Sequence, residues 1–506
     1  MGKRATAEEN AARAEENSRR KDTLPRKLLR FFWTDIYDDK DEQKLIFKVD
    51  TFIMSYCCVS YFMNYLDRTA FSNAYATGMK EELGLVGNQY TVINTCLTVG
   101  YIIAQIPHAL LLQIIPPRYY FPANQVLWGI CTMCTAACKT YPQVCAARFF
   151  LGIFESSTFS GSMYVLGSWL KENELGKRTG VFAASGVAGS MVSGYIQTAI
   201  YKRFNGTGSL ASWKIMFLID GAVVFPVAIY GLFFFPSTPK TSNNFYFTER
   251  ELEIARTRLP PPKPKTKFDW TLIKRALIDW KLWVLSFLWV WGGALEAICN
   301  QSTFLLGMKA QGTYTVSQIN EWPTGVQAVG ILSILVAALW NDAWPKRKAE
   351  FIYILCACQL VSASILLKWD VALGGRLFAF FLAGTSYGGQ TIYFSWANDI
   401  CQGDDPLRAV VLFCMNMSSS ILFCFWGILL YPSSDAPRFH NGFITSIVVS
   451  IVCALWAAMT YICAKYEKRK VERLTAAAEL EEDSSDAPEF VSTEDISKDK
   501  EKAFVA

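Results

Sequence analysis

Twelve apolar stretches, each about twenty residues long, constrain this chain more than any other feature. A helix rises about 1.5 Å per residue, so about twenty residues cross the roughly 30 Å hydrocarbon layer of a bilayer. The runs lie near 46–70, 90–113, 120–138, 143–165, 179–200 and 212–235, then near 282–306, 322–341, 349–368, 371–396, 407–431 and 443–464. They are numbered 1 to 12 below. Lipid offers no partner to an unpaired backbone group, so each run is expected to be helical. The expected fold is an all-α polytopic membrane protein with twelve transmembrane helices. Composition agrees: 52% of the 506 residues are hydrophobic and only 18% are charged, where soluble domains carry about 25% charge. That much apolar material excludes a disordered chain. A net charge of +5, with basic residues in short clusters, argues against a nucleic-acid partner. The fifteen cysteines are scattered singly and give no disulfide framework. Two histidines leave almost nothing for His-based metal chemistry, and no cofactor is expected.

A polar stretch near 236–280, with Pro260, Pro261, Pro262 and Pro264 and many Lys and Arg, divides the runs six and six. The expected parts are therefore an N-terminal tail (1–45), a first six-helix half (46–235), a connector (236–280), a second half (281–465) and an acidic tail (466–506). A short amphipathic helix is expected at 247–259. Eleven Lys and Arg precede residue 46, and Lys465, Lys468, Arg469, Lys470 and Arg473 follow run 12. Lys171, Lys177 and Arg178 lie between runs 4 and 5, and Lys346, Arg347 and Lys348 between runs 8 and 9. The positive-inside rule then puts both termini and the connector in the cytoplasm. The sequon Asn205-Gly206-Thr207 falls in a loop expected outside, where it can be glycosylated. The charged start of the chain is unlike a cleavable signal peptide. The Ser-rich, acidic stretch 476–506 reads as disordered and cytoplasmic, with Lys498, Lys500 and Lys502 as candidate modification sites.

Ionisable groups inside a bilayer cost about 2.5–3.5 kcal/mol each on insertion scales, so the few present should be paired and functional. Asp67 and Arg68 stand together in run 1, and Tyr65 lies one turn before Arg68 on the same face. Arg148 and Glu155 in run 4 are seven residues apart, so both project from one side with Gly152 between them. A carboxylate that takes a proton and a guanidinium that holds an anion are the functional reading; a structural ion pair tying run 1 to a neighbour is the alternative. The four charges are expected to meet in one wet cavity. Asp50, near one end of run 1, reads as a cap or anchor, and Asp220 and Glu296 are intramembrane acids with no partner legible in the sequence. Asn300, Gln301, Tyr387, Gln390, Asn398 and Asn416 can hydrogen-bond a polar substrate or a neighbouring helix. His108, beside Pro107, reads as a packing residue. Gly186, Ser190 and Gly194, with Gly189, give run 5 a smooth face for close helix approach. The Cys131-x-x-Cys134 pair lies within run 3 and reads as small packing residues.

The Asp67-Arg68 pair with Arg148 and Glu155 resembles the anion:cation symporter family of the major facilitator superfamily. The stretches NYLDRTAFSNAYATGMKEELGL (64–85), ARFFLGIFESSTFSG (147–161), LGSWLKENEL (166–175), SGYIQTAIYKRFNG (193–206) and YFSWANDIC (393–401) narrow the resemblance to its fungal vitamin and allantoate permease branch. LLQIIPPRYYF (111–121) departs from the superfamily pattern after run 2, keeping only Arg118. The resemblance implies two six-helix halves with substrate at the midplane. It implies proton sites at Asp67 and Glu155, and an organic anion held by Arg68 or Arg148; Tyr65, Asn300, Gln390 and Asn416 are expected, on their placement and polarity alone, as further substrate contacts. The implied activity is proton-coupled uptake of pantothenate at the plasma membrane by a monomer. Another organic anion (nicotinate, biotin, allantoate or a short peptide) and a non-transporting sensor are the alternatives.

Overall fold

In the computed structural model, residues 40–204, 210–239, 242, 244–258, 270–401 and 405–485 are described. Asn205, the proline run and the tail lysines lie outside them. Among the described residues the chain is helical, with no strand, and each of the twelve runs falls on helix. Six helical stretches are long and apolar enough to cross a membrane by length and composition alone: Asp41–Glu82, Ser212–Phe234, Val316–Ala343, Lys348–Lys368, Val410–Asp435 and His440–Lys470. Run 1 passes from Lys40–Lys48 through Val49–Met54 into Ser55–Ala74 and ends at Gly78, whose φ of 116° suits only glycine. Run 2 is Gln89–Ile114 and run 3 Pro117–Ala137. Run 4 is interrupted once, between Tyr141–Glu155 and Ser157–Trp169. Run 5 is Glu172–Phe204 and run 6 Ser212–Phe234.

Runs 7 and 10 are broken near their middles. Run 7 stops at Leu295 and restarts at Gln301, and run 10 passes through a tight turn, Gly384–Gly388, between Leu373–Ala383 and Gly389–Ile400. Irregular backbone is tolerated at membrane depth only where it is buried in protein or lines a cavity. The last helix, His440–Ser485, runs ten residues into the stretch expected to be disordered. AAAELEE at 476–482 is built from strong helix formers, and that propensity outweighs its acidity. The residues from Ala458 on form a separate unit.

Run 5 packs along run 1, run 6 on run 3, and run 2 on run 4. In the later part of the chain run 7 packs on run 11, and run 8 on the turn of run 10. Runs 5 and 8, and runs 2 and 11, join the first six runs to the last six. The small residues of run 5 make these approaches. A Cβ on Gly189 would overlap the backbone of Phe62, and one on Gly194 would overlap the carbonyl of Asn320, just ahead of run 8.

At the connector end, Lys40–Lys48 and the expected amphipathic helix, here Glu249–Thr257, lie on the first six runs through a network of charges. Thr248 caps that helix, with the Glu251 N–H donating to Thr248 Oγ1 at 3.3 Å. Lys48 donates to Glu251 at 2.8 Å. Burial pushes the Glu251 carboxyl up, but Lys48 and the Thr248 N–H outweigh it and hold it below its ordinary value. Arg258 bonds Glu42 at 3.1 Å and also Glu174. Arg178, buried, makes a two-pronged bond to Asp50 at 2.6 and 2.7 Å. Asp50 is thus an anchor between runs 1 and 5. Replacing Asp50 by Ala removes the carboxylate from the buried Arg178 guanidinium, leaving it a neutral partner in the Glu174 carbonyl at 3.1 Å, and should cost about 3 kcal/mol. Arg250→Ala breaks the pair that the exposed Arg250 makes with Asp41 at 2.9 Å and should cost less than about 1 kcal/mol. Thermal unfolding of the detergent-solubilised protein checks the contrast; equal effects would contradict it.

Candidate functional site

A polar cavity of about 390 Å³ lies between the first six runs and the last six. Run 1 supplies Tyr65, Arg68, Thr69 and Ser72 to its wall, the i, i+3, i+4, i+7 stripe of one helix face. Run 2 adds Thr91, Asn94, Thr95, Thr98 and Tyr101 by the same periodicity. Broken run 7 adds Glu296 and Asn300, and the turn of run 10 adds Tyr387. Cross contacts lie at both ends. At the connector end, Lys177 pairs with Asp342 at 3.5 Å, and Ala184, Val187 and Ile334 form a small apolar cluster with Tyr387. At the other end, Lys309 donates to the carbonyl of Tyr75 at 2.6 Å and pairs with Glu81 at 3.1 Å, and Ser433 donates to the Gly87 carbonyl at 2.9 Å.

The four expected charges are close together but do not share one chamber. Arg68 faces the cavity, with its side chain 31% exposed and its guanidinium 4.7 Å from the Tyr101 ring centre. Its Nε donates to Glu155 Oε2 at 3.0 Å. Glu155 is completely buried behind Arg68, and its Oε1 has no hydrogen-bond partner. Asp67, one residue from Arg68, is turned about 100° around the helix, away from the cavity. There its Oδ2 accepts from Trp128 Nε1 at 2.6 Å and from Thr132 Oγ1 at 3.2 Å, both on run 3. Arg148 is also sealed off. Its guanidinium stacks on Phe71 at 4.5 Å and Phe217 at 5.4 Å, Nη1 donates to the backbone oxygen of Asp67 at 3.4 Å, and Nε and Nη2 are unbonded. Asp220 is buried within electrostatic reach of Arg148. The expectation that Arg148 and Glu155 line the cavity is therefore corrected: only Arg68 reaches it, because aromatic rings cover Arg148 and Arg68 itself covers Glu155.

Three of the expected substrate contacts, Tyr65, Arg68 and Asn300, lie on the cavity wall. Asn300 also caps the second piece of run 7, accepting from the Ser302 N–H at 3.2 Å. Gln390 and Asn416 are not on the wall. Asn416 instead donates to Gln105 at 3.4 Å across the seam of runs 2 and 11, the interhelical role that single amides commonly take. His108 is a packing residue, held between the Tyr120 hydroxyl and the carbonyl of Ile153. The polar stripe of run 2 escaped the sequence reading, although Thr91, Asn94, Thr95, Thr98 and Tyr101 show it as a periodicity in an apolar helix. Tyr387, read from the sequence as a candidate hydrogen-bonder, and Glu296, read as an intramembrane acid without a legible partner, both lie on the wall, turned inward at the breaks in runs 10 and 7.

Glu155 owes its position to backbone contact. A Cβ on Gly152 would overlap the carbonyl of Leu97, and one on Gly100 would overlap that of Phe149. Gly152 thus provides room for run 2, not for a cavity.

Apolar helices packed around a polar chamber, with cross contacts at both of its ends, define a membrane transporter. The sequence model of the Major Facilitator Superfamily matches residues 57–425. The chain is 43% identical over 417 residues to the pantothenate transporter liz1 of Schizosaccharomyces pombe, covering 81% of this chain and 80% of that protein. It is 40% identical over 424 residues to the pantothenate transporter FEN2 of Saccharomyces cerevisiae, covering 81% and 83%. A bacterial homologue of the human lysosomal transporter Spinster superposes with a TM-score of 0.59 at 14% identity, over 82% of this chain and 96% of that one, which speaks to the fold alone. This chain belongs to the Major Facilitator Superfamily, and it is a multi-pass transporter, not an enzyme.

Gly152→Ala should force runs 2 and 4 apart and cost about 1–3 kcal/mol or more. Gly374→Ala, with nothing within 4 Å of the added methyl, should be nearly neutral. Thermal melts of the two variants test this, and a wild-type melt for Gly152→Ala would refute the contact.

Proposed function

We propose that this chain carries pantothenate across the plasma membrane together with protons, by alternating access between two six-helix halves (46–235 and 281–465). The two relatives at 43% and 40% identity, both pantothenate transporters, support the substrate. Pantothenate has one carboxylate, and an arginine can hold it with two parallel hydrogen bonds. The observation that carries the reading is the Arg68–Glu155 pair at the cavity wall. Among the described residues, Arg68 is the one guanidinium lining the cavity, and its Nε is engaged by a carboxylate with no access of its own. Protonation of Glu155 releases Arg68 to the substrate anion, so proton and substrate favour each other's binding. A two-unit pH gradient then supplies about 2.7 kcal/mol per proton. Asp67, buried beside Arg148, serves as a second proton site that steadies run 1. Arg148, first considered for the substrate carboxylate, is left to Asp67 and Asp220. The cross contacts at the two ends of the cavity act as alternating gates, as rocking of two halves about a central site requires. In this reading all twelve runs cross the bilayer, the termini and connector are cytoplasmic, and the working unit is a monomer.

Labelled pantothenate uptake in cells with and without this chain tests the substrate. Arg68→Lys keeps the charge but loses the planar fork, and should raise KM about tenfold or more, the effect of about one charge-assisted hydrogen bond. No pantothenate uptake by the wild-type chain would remove the substrate reading. An unchanged KM in Arg68→Lys would remove Arg68 as the carboxylate site.

A further inference from the structure

Glu296 is a carboxylate on the cavity wall that the coupling scheme leaves unused. It stands at the break of run 7, immediately after Leu295, where the helix ends. Its backbone is fixed there: the Glu296 N–H donates to the Gly293 carbonyl at 3.0 Å, and its own carbonyl accepts from Cys299 Sγ at 2.9 Å. Its side chain has no hydrogen-bond or ion-pair partner among the described residues. Tyr65 and Tyr387 are within electrostatic reach of it. Among the described residues lining the cavity, Arg68 is the one cation and Glu296 the one acid. Arg68 comes from the first six runs and is engaged by Glu155; Glu296 comes from the last six and is unengaged. A carboxyl group facing a chamber of this kind must be met by hydrogen-bonding groups that arrive with the cargo or by water.

The geometry points to Glu296 as the residue that reads the uncharged, hydrogen-bond-donating end of the substrate and excludes a second anion there. The assignment rests on the proposed pantothenate reading. With the substrate carboxylate at Arg68, the hydroxyl-bearing end of the molecule extends toward run 7, and Glu296 accepts from a hydroxyl. When Glu296 is ionised it also repels any substrate with an anionic group at that end, which is specificity by exclusion. The cavity is thus asymmetric: a cation on one wall selects the acid end, and an acid on the other selects the alcohol end. Bound across both, the substrate touches both halves of the protein at once.

The test is competition against labelled pantothenate uptake in cells carrying the wild-type chain, Glu296→Gln or Glu296→Ala, with surface abundance measured in parallel. One competitor is the pantothenate analogue with its terminal hydroxyl replaced by hydrogen; the other carries a phosphate on that hydroxyl. The wild-type chain should prefer pantothenate over the deoxy analogue by about 10- to 100-fold, the contribution of a hydrogen bond to a charged group, and should ignore the phosphate ester. Glu296→Ala should lose the preference for the hydroxyl. Glu296→Gln keeps an accepting oxygen without the charge. It should retain the hydroxyl preference and become sensitive to the phosphate ester. If Glu296→Ala fails to reach the surface, the phosphate ester against Glu296→Gln decides alone. Normal wild-type uptake with an unchanged competitor profile in the surface-expressed variants overturns the assignment of Glu296 and leaves the pantothenate reading standing. No wild-type uptake of pantothenate overturns the substrate reading, and this assignment with it.

Discussion

A buried carboxylate and a half-buried guanidinium, Glu155 and Arg68, sit 3.0 Å apart at the boundary between packed protein and the central cavity. The arrangement around the cavity follows from the cost of that boundary. Neither charge is tolerable alone at membrane depth, and a pair stripped of water is held only by good geometry and further hydrogen bonds. Glu155 receives one such bond, from Arg68, and one of its oxygens is left without a partner. The glycine contacts between runs 2 and 4 hold the pair in place, since run 4 can present Glu155 to run 1 only if run 2 approaches as closely as Gly100 and Gly152 allow.

Behind the pair lies a second, drier set of charges. Asp67 is tied to Trp128 and Thr132, and Arg148 is pressed between aromatic rings. Two charge clusters, one wet and one dry, hang from adjacent residues of the same helix. A small rotation of run 1 changes both surroundings together. That gives the proposed coupling a physical route: what happens to Glu155 at the cavity is felt at Asp67 through the helix that carries Arg68 beside it.

The helical architecture was plain in the sequence, because twenty-residue apolar runs have few other solutions in lipid. The charged residues that matter were equally plain, since any ionisable group in such a run is conspicuous. Their partition was not. Asp67 and Arg68 are neighbours in the chain, yet the 100° step of a helix sends them to different faces of run 1 and not into one chamber. The seven-residue spacing of Arg148 and Glu155 gave the shared face of run 4 but not what covers it; Phe71 and Phe217 come from other helices and close over Arg148. The breaks in runs 7 and 10 left no mark stronger than their glycines, so Glu296 and Tyr387 stood out as polar groups in apolar runs but the wall they share did not. Asn416 and Gln390 show the same limit, since an amide in an apolar run looks alike whether it meets cargo or another helix.

The central claim is that a proton on Glu155 frees Arg68 for the substrate anion. It is tested most directly by comparing two modes of transport in Glu155→Gln, namely accumulation of labelled pantothenate driven by a pH gradient and exchange of labelled for unlabelled pantothenate at equal pH. The account predicts that exchange survives while pH-driven accumulation is lost, because Gln mimics the protonated acid permanently. Accumulation that still follows the pH gradient in that variant would contradict it.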